Sequence, residues 1–471
     1  MKKKNLLKVI GVYFLIVVVL TWIIPAGSYQ AGKFVKDATS PVGILDFFRI
    51  PLTTLTNYAN YGILILLIGG LYGVMNRTGA YSKLVSHFTK KYAKKEKTFA
   101  IISILFFSIL SSVSGLSFVL LIFVPLFMAI LLRLGYKKLP TLMATIGAIL
   151  AGNAASTYGF NIVGYLNYYF KLDINSYILL KVIFFAVVVA LLIFFVTKNE
   201  KLEKKNQIDI PLLDDDHYAH KSTKSYAPML IVLAFVLVLL GVACYNWTYA
   251  INYKGFEELY EKMVALKING YPLLKNIIGN FSPFGYWNVT EMNIVLLIAT
   301  ALIAWLYSVK FEDYIDALKD GAKQVLPVAF YVMLASVITS VILGSSTGTS
   351  IYFTMVNWIL PHAGKVANVI VMFPISVISG AFINEFPYFV NYMATNLTTA
   401  FTHDTVYPLL AFVMQSAHGM MMFLLPTSAL LIAGLSYLKV SFIDWIKYAW
   451  KYVLGMGIAS VIAYIILSIM I

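Results

Sequence analysis

The chain has 471 residues, 60% hydrophobic and only 12% charged, with a formal net charge of +15. That apolar excess excludes a soluble globular domain and reads as an integral membrane protein throughout. The lysines cluster between apolar segments, where cytoplasmic orientation and anionic headgroups explain them without any nucleic-acid partner.

The start, MKKKNLLKVIGVYFLIVVVLTWIIPAGS, has the basic and apolar regions of a signal peptide. Its apolar run is as long as a full span needs, so residues 7–27 read as a retained first helix with a cytoplasmic N-terminus. A second span follows at about residues 60–76, and GILDFFRIPLTTLTNY between them can lie along the interface. Residues 81–97 form a basic amphipathic stretch on the inner surface. Residues 98–134 are almost wholly apolar yet carry basic clusters at both ends, KKYAKKEK and RLGYKK. Lys and Arg mark the cytoplasmic side, so both ends stay inside. As one helix the segment would run about 56 Å at roughly 1.5 Å per residue, beyond a hydrocarbon core of about 30 Å. SSVSGLS lies in its middle, and a re-entrant hairpin with its tip near the midplane fits all of this.

Residues 139–170 then cross outward with an interruption at GNAASTYG, and a helix at 176–197 returns. A polar linker at 198–225 separates an N-terminal membrane repeat (1–197) from a C-terminal one (226–471). DDDHYAH inside the linker reads as a solvated loop, since its spacing matches no metal site. In the second half, spans are expected at 226–246, 291–308 and 325–344, with an outer loop at 247–290 carrying the amphipathic GFEELYEKMVALK. Residues 345–364 fall at the outer surface, and 366–401 form a second long apolar segment broken by SGAFINEFP. Residues 404–435 cross inward with a break at QSAHG and Pro426, and a last helix occupies 450–470. The expected fold is an all-α polytopic membrane protein of two inverted-topology repeats. Each has a re-entrant helical hairpin (98–134 and 366–401) and a discontinuous transmembrane helix.

Three patches carry a family likeness: LTWIIPAG in the first helix, FVPLFMAILLRLGY closing the first hairpin, and PTSALLIAGL after the second break. They resemble the YfcC group of the anaerobic four-carbon-dicarboxylate carrier family, within the ion-transporter superfamily of elevator-type secondary carriers. The resemblance implies secondary transport of basic amino acids, dicarboxylates or related solutes, and adds Thr427 and Ser428 to the binding set. The chain also departs from the family pattern. Where the first tip usually shows Gly, Ser and two Glu, this chain has Gly115, Ser117, Phe118 and Val119. Gly-Asp-Gly before the Pro-Thr-Ser is replaced by Ala417, His418 and Gly419. At the second tip Asn384 is kept, but Glu385, Pro387 and residues 388–391 follow.

Residues at the breaks are the candidate solute or ion ligands. Ser111, Ser112, Ser114 and Ser117 around Gly115 offer hydroxyls and freed backbone, although small residues also serve tight helix packing. Asn153, Ser156 and Thr157 lie between glycines that let the backbone unwind. Asn384, Glu385 and Asn391 mark the second tip. A carboxylate deep in an apolar segment is costly and usually serves as proton relay or cation partner; the alternative puts Glu385 in water at the mouth of a shallower hairpin. Gln415, Ser416 and His418 follow, His418 being either a proton acceptor or a neutral hydrogen-bonding spacer. His362 reads as structural. Cys244, the single cysteine, provides no disulfide framework.

The reading is an ion-coupled symporter or antiporter of a small polar solute, an amino acid or carboxylate, whose hairpins and broken helices move as a unit. A basic amino acid exchanger and a dicarboxylate carrier are the rival substrates; a channel or a lipid-modifying membrane enzyme is the rival class. No Walker motif, zinc spacing or nucleophile elbow appears, so an enzyme is not expected. No cofactor is expected beyond Na+ or H+ as coupling ion. The expected setting is a bacterial plasma membrane, with lipid and solute as partners and room for a homodimer.

Overall fold

The computed structural model describes residues 6–24, 27–30, 33–36, 41–198, 210–213, 225–268, 270–343, 369–400 and 406–471. Among these, eight helices are long and apolar enough to cross a membrane. The expectations placed on residues 345–364, on DDDHYAH and on most of the linker lie outside the described residues.

The first half runs α1 (Leu6–Ile23), α2 (Ile44–Asn57), α3 (Ala59–Arg77), α4 (Ala80–Tyr92), α5 (Glu96–Ser114), α6 (Ser117–Leu121) and α7 (Val124–Arg133). After α8 (Lys138–Leu142), a π-helical turn (Met143–Gly147) leads into α9 (Ala148–Ala154). A second π turn (Phe160–Gly164) leads into α10 (Tyr165–Phe170), and α11 (Ile178–Lys198) closes the half. The second half runs α12 (Ala227–Cys244), α13 (Trp247–Ile251), α14 (Gly255–Ala265), α15 (Leu273–Ile278), α16 (Val289–Leu306), α17 (Phe311–Ala335) and α18 (Val337–Leu343). Then come α19 (Val369–Phe382), α20 (Phe386–Ala400), α21 (Tyr407–Met421), α22 (Ala429–Tyr437) and α23 (Phe442–Met470). Two short antiparallel strand pairs, Gly27–Gln30 with Lys33–Lys36 and Lys267–Ile268 with Tyr271–Pro272, decorate the loops.

Both long apolar segments bend in the middle. In the first, Gly115 ends α5 at φ 69°, a left-handed conformation that glycine adopts without a Cβ penalty. In the second, the break is residues 383–385, between α19 and α20. The helices then pack as a row, α5 on α9, α9 on α21, and α21 on α19, with α11 and α23 packed together alongside. A second group forms around α3 and α17, joined by α16 and α12, with α1, α2 and α18 in a satellite apolar cluster.

Small residues bring α3 and α17 together, as in membrane helix crossings generally. A Cβ on Gly73 would lie 2.1 Å from the Ala317 carbonyl oxygen, and one on Gly69 would lie 2.6 Å from that of Gly321. An Arg77–Asp313 ion pair ties the same two helices.

Four expectations need correction. The span expected at 325–344 begins much earlier, at Phe311, because Ala317, Gly321 and Val325 give the charged segment a face that packs on α3; it also breaks at Ser336. QSAHG is not a break: Gln415 to Gly419 lie inside α21, and the interruption is residues 422–428 around Pro426. Gly419 serves close packing, since a Cβ there would meet the Ala154 Cα at 2.4 Å. Likewise Gly152 and Asn153 stay helical at the end of α9, and the first break is residues 155–159. Finally, part of the linker is docked. Leu212 is buried, its carbonyl accepts from Asn76 Nδ2 (2.8 Å), its N–H donates to Gln324 Oε1 (3.2 Å), and Tyr437 donates to the Pro211 carbonyl (2.7 Å).

Candidate functional site

The two bends, the end of α9 and the second helix break meet on one cavity of about 470 Å³. Gly115, Ser117 and Phe118 reach it from the first tip, and Asn153 from the end of α9. Asn384, Glu385 and Phe386 reach it from the second tip, Gln415 and His418 from α21, and Ser428 from the start of α22.

Asn153 organises the first side. Its Oδ1 accepts from Ser111 (2.6 Å), and its Nδ2 donates to Ser117 Oγ (2.7 Å). Ser117 and Asn153 therefore present a joined hydroxyl and amide to the cavity. Asn161, from the second π turn, donates to the Gly115 carbonyl (3.3 Å) and closes the first tip. Gln415 Nε2 donates to the Ser156 carbonyl (2.8 Å), so a second-half side chain satisfies backbone freed by the first break.

The second side mirrors that use of an asparagine. Asn384 Nδ2 donates to the Thr427 carbonyl (2.8 Å), and Thr339 bonds Asn384 Oδ1. His418 sits between the rings of Phe386 (5.0 Å) and Phe389 (4.7 Å), its Nε2–H donating to the Ile383 carbonyl at 3.0 Å. That makes His418 a brace for the second tip as well as a cavity wall. Glu385 accepts through one oxygen, Oε1, from Tyr58 and from Ser336 (3.0 Å).

Several expected ligands turn elsewhere. The Ser112 carbonyl accepts from the N–H groups of Thr157 (3.0 Å) and Gly159 (3.0 Å) and from Ser156 Oγ (2.9 Å), while its hydroxyl donates to the Ala155 carbonyl (3.0 Å). Ser112, Ser156 and Thr157 thus form a buried knot that fastens the first tip to the first break. Ser114 donates to the Leu110 carbonyl (2.6 Å), and Ser416 pairs with Tyr464 on α23. Asn391 is exposed and accepts from Tyr169 (2.6 Å). Thr427 is buried beside Ser428 without reaching the cavity wall.

Other lining residues carried no signal in the sequence. Tyr58 and Tyr61, at the α2–α3 junction, stand between the tips: Tyr61 packs on Phe118 at 4.7 Å and Tyr58 bonds Glu385. Trp287 and Cys244 close the wall beside the loop between α12 and α16. Among the described lining residues there is no lysine, arginine or second carboxyl group beside that of Glu385. No cluster of three His, Cys, Asp or Glu side chains suited to a metal ion occurs among the described residues.

A cavity that gathers a few polar side chains on a mainly apolar wall, inside an apolar, many-span protein, is what a carrier requires, and the sequence agrees. The model of the C4-dicarboxylate anaerobic carrier family, DcuC, matches residues 4–470. The chain belongs to that family. It is a multi-pass membrane transporter. Among solved structures, the YdaH transporter of Alcanivorax borkumensis aligns at 11% identity over 98% of both chains, with a TM-score of 0.40. MtrF of Neisseria gonorrhoeae, described among antimetabolite efflux pumps, aligns at 13% identity over 98% of this chain and 94% of its own, with a TM-score of 0.36. No curated protein sequence matches significantly.

Proposed function

We propose that this protein is a secondary carrier of a small carboxylate solute, bound in the 470 Å³ cavity between the two tips. The observation that carries this reading is the start of α22. Ser428, Ala429 and Leu430 line the cavity, and Ser428 makes no capping bond through its side chain. The first-turn N–H groups, with the positive end of the helix dipole, are therefore available to a carboxylate. Ser117 and Asn153 supply hydroxyl and amide partners from the opposite wall.

Glu385 shapes the second half of the proposal. A carboxylate solute beside a fixed carboxylate, with no basic side chain lining the cavity, needs a compensating cation. Either a proton or sodium ion travels with the solute, or the solute brings its own ammonium group, as an amino acid does. The two hairpins enter from opposite sides as parts of inverted repeats. The recurring pattern of hairpin arm on broken helix, α5 on α9 and α19 on α21, supports that symmetry. The row of hairpins and broken helices moves against the α3–α17 group, exposing the cavity to each side in turn.

Counterflow in proteoliposomes tests this. Vesicles loaded with unlabelled succinate, or with an unlabelled neutral amino acid, should accumulate the matching labelled solute transiently. A leak without trans-stimulation would make the protein a channel, and counterflow confined to solutes lacking a carboxylate would refute the α22 site.

A further inference from the structure

Glu385 has two oxygens in different situations. Oε1 accepts both Tyr58 and Ser336, while no described residue bonds Oε2. The donors belong to the α3–α17 group: Tyr58 joins α2 to α3, and Ser336 joins α17 to α18. Thr339 of α18 reaches Asn384, one residue back along the same tip. The second tip is therefore fastened by side-chain hydroxyls to the body against which it must move. Ionisable neighbours of Glu385 are Tyr58 and Tyr61 at that junction, Tyr388 on the helix that follows it (α20), and His418 across the cavity on α21.

We propose that Glu385 is a charge-controlled latch. Tyr58 and Ser336 are its positioning residues, and a monovalent cation at Oε2 releases it. Hydrogen bonds to an ionised acceptor are roughly twice as strong as neutral ones. While the carboxylate is bare, its charge holds both hydroxyls and keeps the tip against α3 and α17. A cation on the free oxygen draws that charge away, weakens both bonds at Oε1, and lets the tip part from α3 and α17. Cation binding and tip opening are thereby the same event, which is a physical basis for coupling. The inference rests on the reading that the second tip moves during transport.

Cys244, the single cysteine, lines the cavity and reports access to it. The test follows N-ethylmaleimide labelling of the purified full-length protein in sodium chloride or in N-methylglucamine chloride at matched pH, and then in N-methylglucamine chloride at a lower pH. Without sodium, Tyr58→Phe and Ser336→Ala should each label about tenfold faster than wild type, the worth of one hydrogen bond to a charged group. Glu385→Gln should label fast too, and adding Tyr58→Phe to it should change little further, because the bond is already weakened. Ser336→Thr keeps the hydroxyl and should label as wild type, which separates the latch from any loss of fold. Sodium should speed labelling of wild type and leave Glu385→Gln unchanged. Wild-type labelling rates in Tyr58→Phe and Ser336→Ala, or additive effects with Glu385→Gln, would overturn the latch. A wild-type protein indifferent to both sodium and acidification, with rates normalised to Glu385→Gln, would overturn its release by a cation. Labelling involves no solute, so these failures would leave the carrier reading to the counterflow assay.

Discussion

Replacing Gly321 by alanine should destabilise the protein and impair transport without touching the cavity. The added Cβ would lie 2.1 Å from the Gly69 carbonyl oxygen, 2.8 Å from its carbon and 3.1 Å from the Gly73 Cα. An ordinary carbon–oxygen contact is about 3.3–3.6 Å, so the helices would have to part by ~1 Å. All three obstructing atoms are backbone, and no side-chain rotation relieves them. A gap of about 0.5–1 Å forfeits a quarter to a half of each dispersion contact, and overpacking of this kind costs about 1–3 kcal/mol. Against that, alanine in a helix recovers about 1 kcal/mol over glycine.

Gly241→Ala is the matched comparison, since nothing lies within 4 Å of a Cβ there and α12 keeps the gain. Thermal unfolding in detergent should rank Gly241→Ala above wild type and Gly321→Ala below it, by about 2 kcal/mol between the variants. Uptake should fall in Gly321→Ala alone, because α3 carries Tyr61 and α17 ends at Ser336, both of which line the cavity. Equal midpoints for the two variants would refute the close crossing.

Glu385→Gln keeps size and hydrogen-bonding capacity but removes the charge, so downhill counterflow should survive while accumulation driven by a proton gradient is lost; accumulation that persists and follows external sodium would reject the proton route. Ser117→Ala should raise KM with little change in melting, whereas Ser112→Ala removes bonds to the Ala155 carbonyl and the Thr157 N–H and should cost about 1–2 kcal/mol with KM unchanged. The same KM shift in both would erase that distinction. Asn76→Ala leaves the Leu212 carbonyl without its amide donor and should speed proteolytic cleavage of the linker. On the loop between α12 and α16, Tyr286 and Thr248 donate to Glu257 and hold its carboxyl below the usual carboxylate range. A depressed folded pKa stabilises the folded loop above the unfolded value, and that contribution is lost as pH falls through the folded one. Acid titration of tryptophan emission should therefore show a transition below the ordinary glutamate range that Glu257→Gln abolishes.

Both bends were legible because their polar and small residues interrupt apolar runs too long for one span. SSVSG contains the left-handed Gly115, and the Ile-Asn-Glu of residues 383–385 is the second break. The breaks after them were less so, for a physical reason. A glycine in a membrane helix can serve unwinding or close packing, and the sequence looks the same in either case. Gly419 packs against Ala154 and Gly152 against the Ser108 carbonyl, so the chain unwinds a few residues beyond each of them. Tyr58 and Tyr61 were hidden for a different reason: in a chain with 32 tyrosines, two more in an interfacial stretch look like belt residues. The docked residues 210–213 were masked by the charged linker around them.

Hydroxyls posed the hardest ambiguity, and their resolution bears on how such sites are read. Ser112 and Ser117 are chemically identical and sit at the same bend, yet one is bound up with the first break and the other faces solute space. What separates them is the partner across the fold. Ser112 meets backbone at residues 155–159, whose freed groups take up all it offers. Ser117 meets the Asn153 side chain, which itself reaches the cavity and can rearrange when a ligand arrives. A backbone partner in a break makes a serine part of the frame, because removing it strands a buried polar group in hydrocarbon. A side-chain partner on the cavity wall leaves the pair free to exchange one bond for another with a solute, and only a group able to make that exchange can bind and then release.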